Sequence, residues 1–282
     1  MSSSWKIRDG VISGDRTAIV GVINVTPDSF SDGGKYLGPD LAVEHGLRLQ
    51  SQGAALVDVG GESTRPGSDS VAGSEELRRA IPAVKGLVEA GVRVSIDTSK
   101  ASVAEAALAA GAVVVNDISA LSDPDMVPLV ADAGAGVVLM HMQGEPRTMQ
   151  TNPIYEDVTK EVGEFLWERA EFAIEAGVDP KAICIDPGIG FGKTAEHNLT
   201  LLRRLDELAA LGYPVMVGTS RKSFLGAILN KPDPEARDIG TGATVALAIA
   251  GGAFAVRVHN VAISSDIARV ADAIVRQTSP RG

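Results

Sequence analysis

"VRVSIDTSKASVAEAALAAGAVVVNDIS" runs from Val92 to Ser119 and contains the unit that decides the architecture. Two β-branched runs, Val92–Thr98 and Ala112–Ser119, enclose a segment of helical pattern. A strand, a crossover helix and a second strand make a parallel pair, because a tight turn cannot return the chain in the same direction. Runs of the same kind lie on both sides, at Thr17–Asn24, Ala55–Gly61, Ala135–Met142, Ala182–Gly188, Pro214–Ser220 and Phe254–Asn260. Amphipathic segments separate them. "SEELRRAIPAVKGLVEAG" has Ser74 as N-cap and Gly91 as stop; "TAEHNLTLLRRLDELAALG" opens on Thr194 and closes on Gly212; the last helix covers roughly 262–277. Eight such alternations over about 250 residues predict an α/β fold, a (β/α)8 TIM barrel, with residues 1–282 as a single domain. A doubly wound open sheet is the alternative, disfavoured because it seldom needs eight such regular units. Ahead of the first strand, "WKIRDGVISG" reads as a short N-terminal β-hairpin turning at Asp9-Gly10, placed to plug the barrel bottom. "NKPDPEARD" reads as a polar loop between two late helices.

Composition narrows the function. Aromatic residues make up 4% of the 282-residue chain, so Val, Ala, Leu and Ile must fill the core in layers. A net charge of -10 argues against a broad nucleic-acid or anionic-membrane surface, although a local basic pocket remains compatible with it. The single cysteine, Cys184, lies in an apolar run; it reads as a buried structural thiol and suits a reducing, cytoplasmic compartment. No stretch has the length of a membrane span or of a secretory apolar region, so no membrane partner is expected.

Barrel chemistry sits at the C-terminal strand ends. There the sequence offers Asn24, Asp58, Asp97, Asn116, Asp117, Asp186, Arg257 and His259. Any one polar residue at a strand end is ordinarily a turn former or helix cap, and that reading is preferred for Asp117, Thr98 and Glu62. The set is harder to dismiss. In "AFAVRVHNV" (Ala253–Val261), period two puts Arg257 and His259 on one face and Phe254, Val256 and Val258 on the other. Asn24, Asp97, Asn116, Asp186, Arg257 and His259 would therefore converge at the mouth. Buried carboxylates need donors, which a ligand rich in ring N–H groups supplies, and Arg65, Lys222, Arg257 and His259 suit phosphates. "TSRKSFLG" sets three hydroxyls and two cations where a strand runs into a helix, a place that favours an anion. The Gly-rich pieces lack dinucleotide or P-loop spacing. His45 and His197 read as surface or packing residues, and His141 as a lesser candidate for the mouth. Asn24 and Asp32 can hold Mg²⁺ together with substrate phosphates, with an Asx-turn as the competing role of Asp32.

Seven motifs together resemble the bacterial dihydropteroate synthase family. They are "GVINVTPDSFSDGG" (Gly21–Gly34), "VDVGGESTRPG" (Val57–Gly67), "SIDTSK" (Ser95–Lys100), "VNDIS" (Val115–Ser119), "IDPGIGFGKTAEHNL" (Ile185–Leu199), "GTSRKSFLG" (Gly218–Gly226) and "RVHN" (Arg257–Asn260). The resemblance implies condensation of 6-hydroxymethyl-7,8-dihydropterin diphosphate with 4-aminobenzoate, giving 7,8-dihydropteroate and diphosphate in folate biosynthesis. It implies a pterin site of Asp97, Asn116, Ile118, Met140, Asp186, Gly218, Lys222 and Arg257. Diphosphate falls to Asn24, Thr64, Arg65, Arg257 and His259, with Mg²⁺ on Asn24 and Asp32. The 4-aminobenzoate falls to Phe30, Thr64, Pro66, Phe191, Lys222 and Ser223. Catalytic roles fall to Asp97, Lys222, Arg257 and His259, in a dissociative mechanism that needs no strong general base. The loops after the first two strands have the composition of mobile covers. The family also implies a homodimer through the late helices and competition by sulfonamides. Asn260 departs from its usual Asp; it should face away from His259 and act as a cap or support. A pterin-dependent methyltransferase and a non-catalytic pterin-binding paralogue are the rival readings. The first gives no reason for "TSRKSF", the second none for the diphosphate groups.

Overall fold

Ten strands carry the fold in a computed structural model that describes residues 4–26, 39–64 and 67–277. They are β1 (Ser4–Ile7), β2 (Gly10–Ser13), β3 (Ala18–Asn24), β4 (Leu56–Gly60), β5 (Val94–Asp97), β6 (Val114–Asp117), β7 (Gly136–Met140), β8 (Ile183–Asp186), β9 (Met216–Val217) and β10 (Ala255–Val258). Strands β3 to β10 form one sheet of parallel neighbours in chain order, in which β10 pairs with β3. A single parallel bridge, Ile185 with Val215, joins the two remaining edges and closes the barrel. The open doubly wound alternative is thereby excluded, and the (β/α)8 expectation holds. Helices lie between successive strands, for example Gly73–Glu89, Ala101–Ala109 and Val158–Glu175.

Period two divides the apolar residues into two shells. Outward residues such as Ile23, Val57, Val59, Ile96 and Leu139 pack under the helices. Inward residues Ala18, Val20, Leu56, Val114, Val138, Cys184 and Met216 fill the lower barrel. The β1–β2 hairpin plugs that end, as its sequence suggests, with Trp5, Ile7 and Ile12 buried among them. The indole N–H of Trp5 donates to the Ala182 carbonyl at 2.8 Å, so the plug leaves no orphaned donor there. Burying an indole of this size stabilises the fold by about 5 kcal/mol as an upper bound.

Four local expectations shift. The hairpin turn is Arg8-Asp9, not Asp9-Gly10, because Ile7 pairs with Gly10 and the Arg8 N–H is held by the Val113 carbonyl. Ser74 is not the N-cap: the helix starts at Gly73 after Ala72, and Glu75 and Glu76 complement the first-turn dipole instead. The segment after Thr194 breaks into Ala195–Arg203 and Leu205–Ala209. Arg204 leaves helical geometry there and bonds both Glu207 and Asp157. Phe254 precedes β10 and turns into the bottom cluster, so the alternation begins only at Ala255.

Candidate active site

The same alternation that fills the bottom with methyl groups fills the top with polar ones. Register sets Asn24 beside Gly60, Gly60 beside Asp97 and Asp97 beside Asn116. A Cβ on Gly60 would lie 3.4 Å from Asn24 Oδ1 and 3.6 Å from Asp97 Oδ2, so glycine keeps this wall open. Arg257 projects inward from β10 and donates Nε to Asp58 Oδ2 at 2.6 Å and Nη2 to Asp97 Oδ2 at 2.6 Å. Asn116 Nδ2 donates to the same Asp58 oxygen at 3.0 Å. Four strands thus contribute to one network.

A second group faces it. Asp186 Oδ1 accepts the Gly188 N–H at 2.7 Å. Lys222 follows β9 and donates Nζ to the Ile189 carbonyl, while its ammonium sits 4.5 Å from the centroid of the Phe191 ring. The loop between them needs its glycines. Gly188 (φ +64) and Gly192 (φ +58) are in left-handed backbone, and a Cβ on either would strike the carbonyl oxygens of His141 or Gln143, at 1.9 and 2.3 Å. Their close approach holds Phe191 as a wall under Lys222. Gly218 is buried, with Arg257 and Lys222 near its Cβ direction. Ile118 and Met140 are buried yet join neither apolar shell, and Met140 lies against Gly188.

Electrostatics follow from that crowding. Burial, aided by Asp58 and opposed by Arg257, pushes the Asp97 carboxyl up to about 7. Burial also raises Asp186, against the pull of Lys222. Burial lowers Lys222 to about 8, with Asp186 opposing and Arg257 assisting. For Arg257 burial works against the charge, but Asp58 and Asp97 outweigh it and raise its pKa.

The remaining candidates occupy the rim or point elsewhere. His259 pairs through Nδ1 with Ser220 Oγ at 2.9 Å. Asn24 and Thr64 are half-buried, and Ser223 is exposed at the first turn of helix Ser223–Leu229. Of the two cations in "TSRKSF", only Lys222 enters the mouth; Arg221 turns to Asp238 with bonds of 2.8 and 3.1 Å. His141 does not reach the mouth. It lies edge-on to Phe165 at 4.9 Å and takes Lys193 Nζ at 2.9 Å; burial, then Lys193, lowers it to about 3. Asp117, Thr98 and Glu62 accept backbone N–H groups of Ser119, Lys100 and Val71, the capping roles preferred from sequence. Asn260 caps the last helix through the Ile263 N–H at 3.3 Å and donates to Asp238 at 2.9 Å. Phe30, Asp32, Arg65 and Pro66 lie outside the described residues.

From the sequence Asp58 has no task, Ser220 counts only among the hydroxyls of "TSRKSFLG" without its His259 partner, and the Ile189 carbonyl goes unnoticed. Asp58 had a signal, since it alternates with Leu56 and Gly60 on the inward face. The other two depend on loop geometry. No cluster of three or more His, Cys, Asp or Glu side chains suited to a metal occurs among the described residues. One amide oxygen at the rim, Asn24 Oδ1, fits a hydrated Mg²⁺ that draws its other ligands from water and phosphate.

Comparison with known proteins agrees with this geometry. A profile of the pterin binding enzymes matches residues 20–259. A dihydropteroate synthase of Synechocystis sp. is 49% identical over 265 residues, 93% of this chain and 92% of the relative. The chain belongs to the dihydropteroate synthase family of pterin-binding enzymes. Solved members of the family superpose closely. Xanthomonas albilineans dihydropteroate synthase with 4-aminobenzoic acid gives a TM-score of 0.91 at 44% identity, covering 99% of this chain and 100% of that one. The same organism's synthase in complex with 7,8-dihydropteroate gives 0.88 at 42% identity, covering 98% and 100%. The family match ends at His259, the last of the mouth residues in chain order.

Proposed function

We propose that this chain is a dihydropteroate synthase, a transferase that joins the 6-methylene of a dihydropterin diphosphate to the amine of 4-aminobenzoate. The observation that carries the reading is the polar barrel mouth itself. Asn116 and Asp186 are buried hydrogen-bonding groups, Asp97 stands beside them with its side chain 10% exposed, and Arg257 and Lys222 are cations held next to these three. A pterin edge, with adjacent N–H and carbonyl groups, matches that mixture in paired fashion. Asp97, Asn116 and Asp186 would take the pterin N–H edge, Lys222 and the backbone at Gly218 the carbonyl side, and Ile118 and Met140 the ring face. Arg257, His259, Asn24, Thr64 and Arg65 would hold the diphosphate. Phe191 and Ser223, with Phe30, Thr64, Pro66 and Lys222, would flank 4-aminobenzoate, the slot in which sulfonamides would compete.

The chemistry proposed is dissociative. The bond between methylene carbon and diphosphate oxygen breaks, and the electron pair leaves with the diphosphate. Arg257 and His259 stabilise the developing negative charge. The cation delocalises into the ring, where the Asp97 carboxylate stabilises it. The aromatic amine, neutral near pH 7, attacks the methylene and passes its proton to solvent, so no strong base is required. Mg²⁺, held by Asn24 and Asp32, would neutralise diphosphate charge when bound. The deciding assay incubates protein, pterin diphosphate, 4-aminobenzoate and Mg²⁺ and measures dihydropteroate and diphosphate together. Equal release of both is expected; bound pterin without product would reject catalysis in favour of a binder.

A homodimer is part of the proposal. Helices Asp238–Ala250 and Val261–Val275 expose Val270 and Ile274 along an apolar groove of ≈ 480 Å³. Ile274→Asp should convert a dimer to a monomer in light scattering; an unchanged mass would reject this face. Among the described residues no helix is long and apolar enough to cross a membrane. The lone buried Cys184 suits a reducing cytoplasm.

A further inference from the structure

Asp58 is the most deeply buried charge of the mouth, fully screened from solvent, and the chemistry above leaves it without a task. Its Oδ2 is doubly engaged, by Arg257 Nε at 2.6 Å and Asn116 Nδ2 at 3.0 Å. Its Oδ1 is also buried, yet no group among the described residues donates to it. A buried carboxylate oxygen without a donor is costly and asks for an explanation. Arginine offers Nε–H and one Nη–H as parallel prongs that match both oxygens of a single carboxylate. Here the prongs are split, with Nε on Asp58 and Nη2 on Asp97. Asp97 thus spends one oxygen on Arg257, although the proposed pterin site requires that carboxylate for ring N–H groups.

We propose that Asp58 is a positioning residue whose unoccupied oxygen receives the second prong of Arg257 when a pterin ring claims Asp97. Nε stays on Asp58 Oδ2 while Nη2 passes from Asp97 Oδ2 to Asp58 Oδ1. The guanidinium turns about a fixed anchor and is never left unpaired in a buried place. No proton moves and no bond to carbon changes. Asn116 keeps its amide N–H on Asp58, so its own carbonyl oxygen faces the ligand in a fixed sense. Asp58 touches no substrate: a ligand would have to displace both Arg257 and Asn116 to reach it. The seat rests on the pterin reading of the mouth.

Calorimetry with 6-hydroxymethylpterin tests it on four proteins: wild type, Asp58→Asn, Arg257→Ala and the double variant. The Asn side chain keeps the shape but offers one acceptor, so a bidentate seat is lost. Wild type should bind, and Asp58→Asn alone should weaken binding about tenfold, in line with the loss of a charged hydrogen bond. In the Arg257→Ala background the same change should matter by less than about twofold, because coupled residues do not add. The KM for the pterin substrate should rise in Asp58→Asn, and that for 4-aminobenzoate should not. Wild-type affinity in Asp58→Asn, or an equal loss in both backgrounds, overturns the seat while leaving the pterin site standing. Failure of the wild-type protein to bind the pterin overturns both. Should Asp58→Asn not fold, a crystal structure of the wild-type protein with 6-hydroxymethylpterin decides: Nη2 on Asp58 Oδ1 supports the seat, and Nη2 still on Asp97 rejects it.

Discussion

The two ends of this barrel are built from the same strands and the same inward alternation, and they follow opposite physical policies. At the bottom, Trp5, Ile7 and Ile12 meet Leu56, Val114 and Met216, and the one indole N–H has its carbonyl. At the top, Asp58, Asp97, Asp186, Lys222 and Arg257 crowd together, one carboxylate oxygen has no donor among the described residues, and burial pushes Asp97 up and Lys222 down from their ordinary values. Stability is concentrated where no chemistry occurs, and local cost is accepted where ligands must be recognised. Substitutions at the two ends should therefore fail in different assays.

The sharpest separation is expected from Trp5→Ala. It should lower unfolding free energy by about 3–5 kcal/mol in urea titration while kcat/KM at low temperature stays near wild type. Lost activity without lost stability would break the division between the ends. Asp97→Asn should do the reverse, costing about 10²–10³-fold in kcat/KM with the melting temperature unchanged or higher. Near-normal turnover would remove Asp97 from the proposed mechanism. A pH profile refines the same point. In the proposed site the ring N–H groups would need the Asp97 carboxylate, so kcat/KM should rise as pH passes about 7 and Asp97 loses its proton. It should fall above about 8, as Lys222 becomes neutral and would lose the proposed charge-assisted bond to the pterin carbonyl. A flat profile between pH 6 and 9 (roughly one unit beyond each limb) would argue that neither group governs the free enzyme. The smallest effect belongs to Asn260→Ala, which removes a cap and a bond to Asp238. About 1 kcal/mol of stability should go, read from thermal unfolding, with KM little changed. A large loss of turnover would instead tie Asn260 to the neighbouring His259.

Which parts were legible beforehand follows from the range of the interactions. Alternation is a property of neighbours along the chain, so the inward faces of β5, β6, β8 and β10 could be read directly, bringing Asp97, Asn116, Asp186 and Arg257 into one mouth. Asp58 stands on such a face too, but its importance needs the register that sets Val22 beside Asp58 and Asp58 beside Ser95, which the sequence does not print. The diversion of Arg221 to Asp238 depends on a loop folding back over 17 residues. His141 directly follows β7, as a mouth residue would, but its odd place in the alternation turns it toward Phe165 and Lys193. The break at Arg204 lies in an uninterrupted helical pattern, where two competing carboxylates, Asp157 and Glu207, outweigh local propensity.

One feature of the closure has a mechanical meaning. Every neighbouring pair around the barrel shares a ladder except β8 and β9, which meet at one bridge, and β9 is only two residues long. A hoop under thermal load parts at its weakest stave, so the first opening of this barrel should run along that line. Asp186 stands at the top of one side, and Gly218 and Lys222 follow the other. A pterin held by all three would straddle the seam and clasp it, which makes the substrate a fastener of the very wall that binds it.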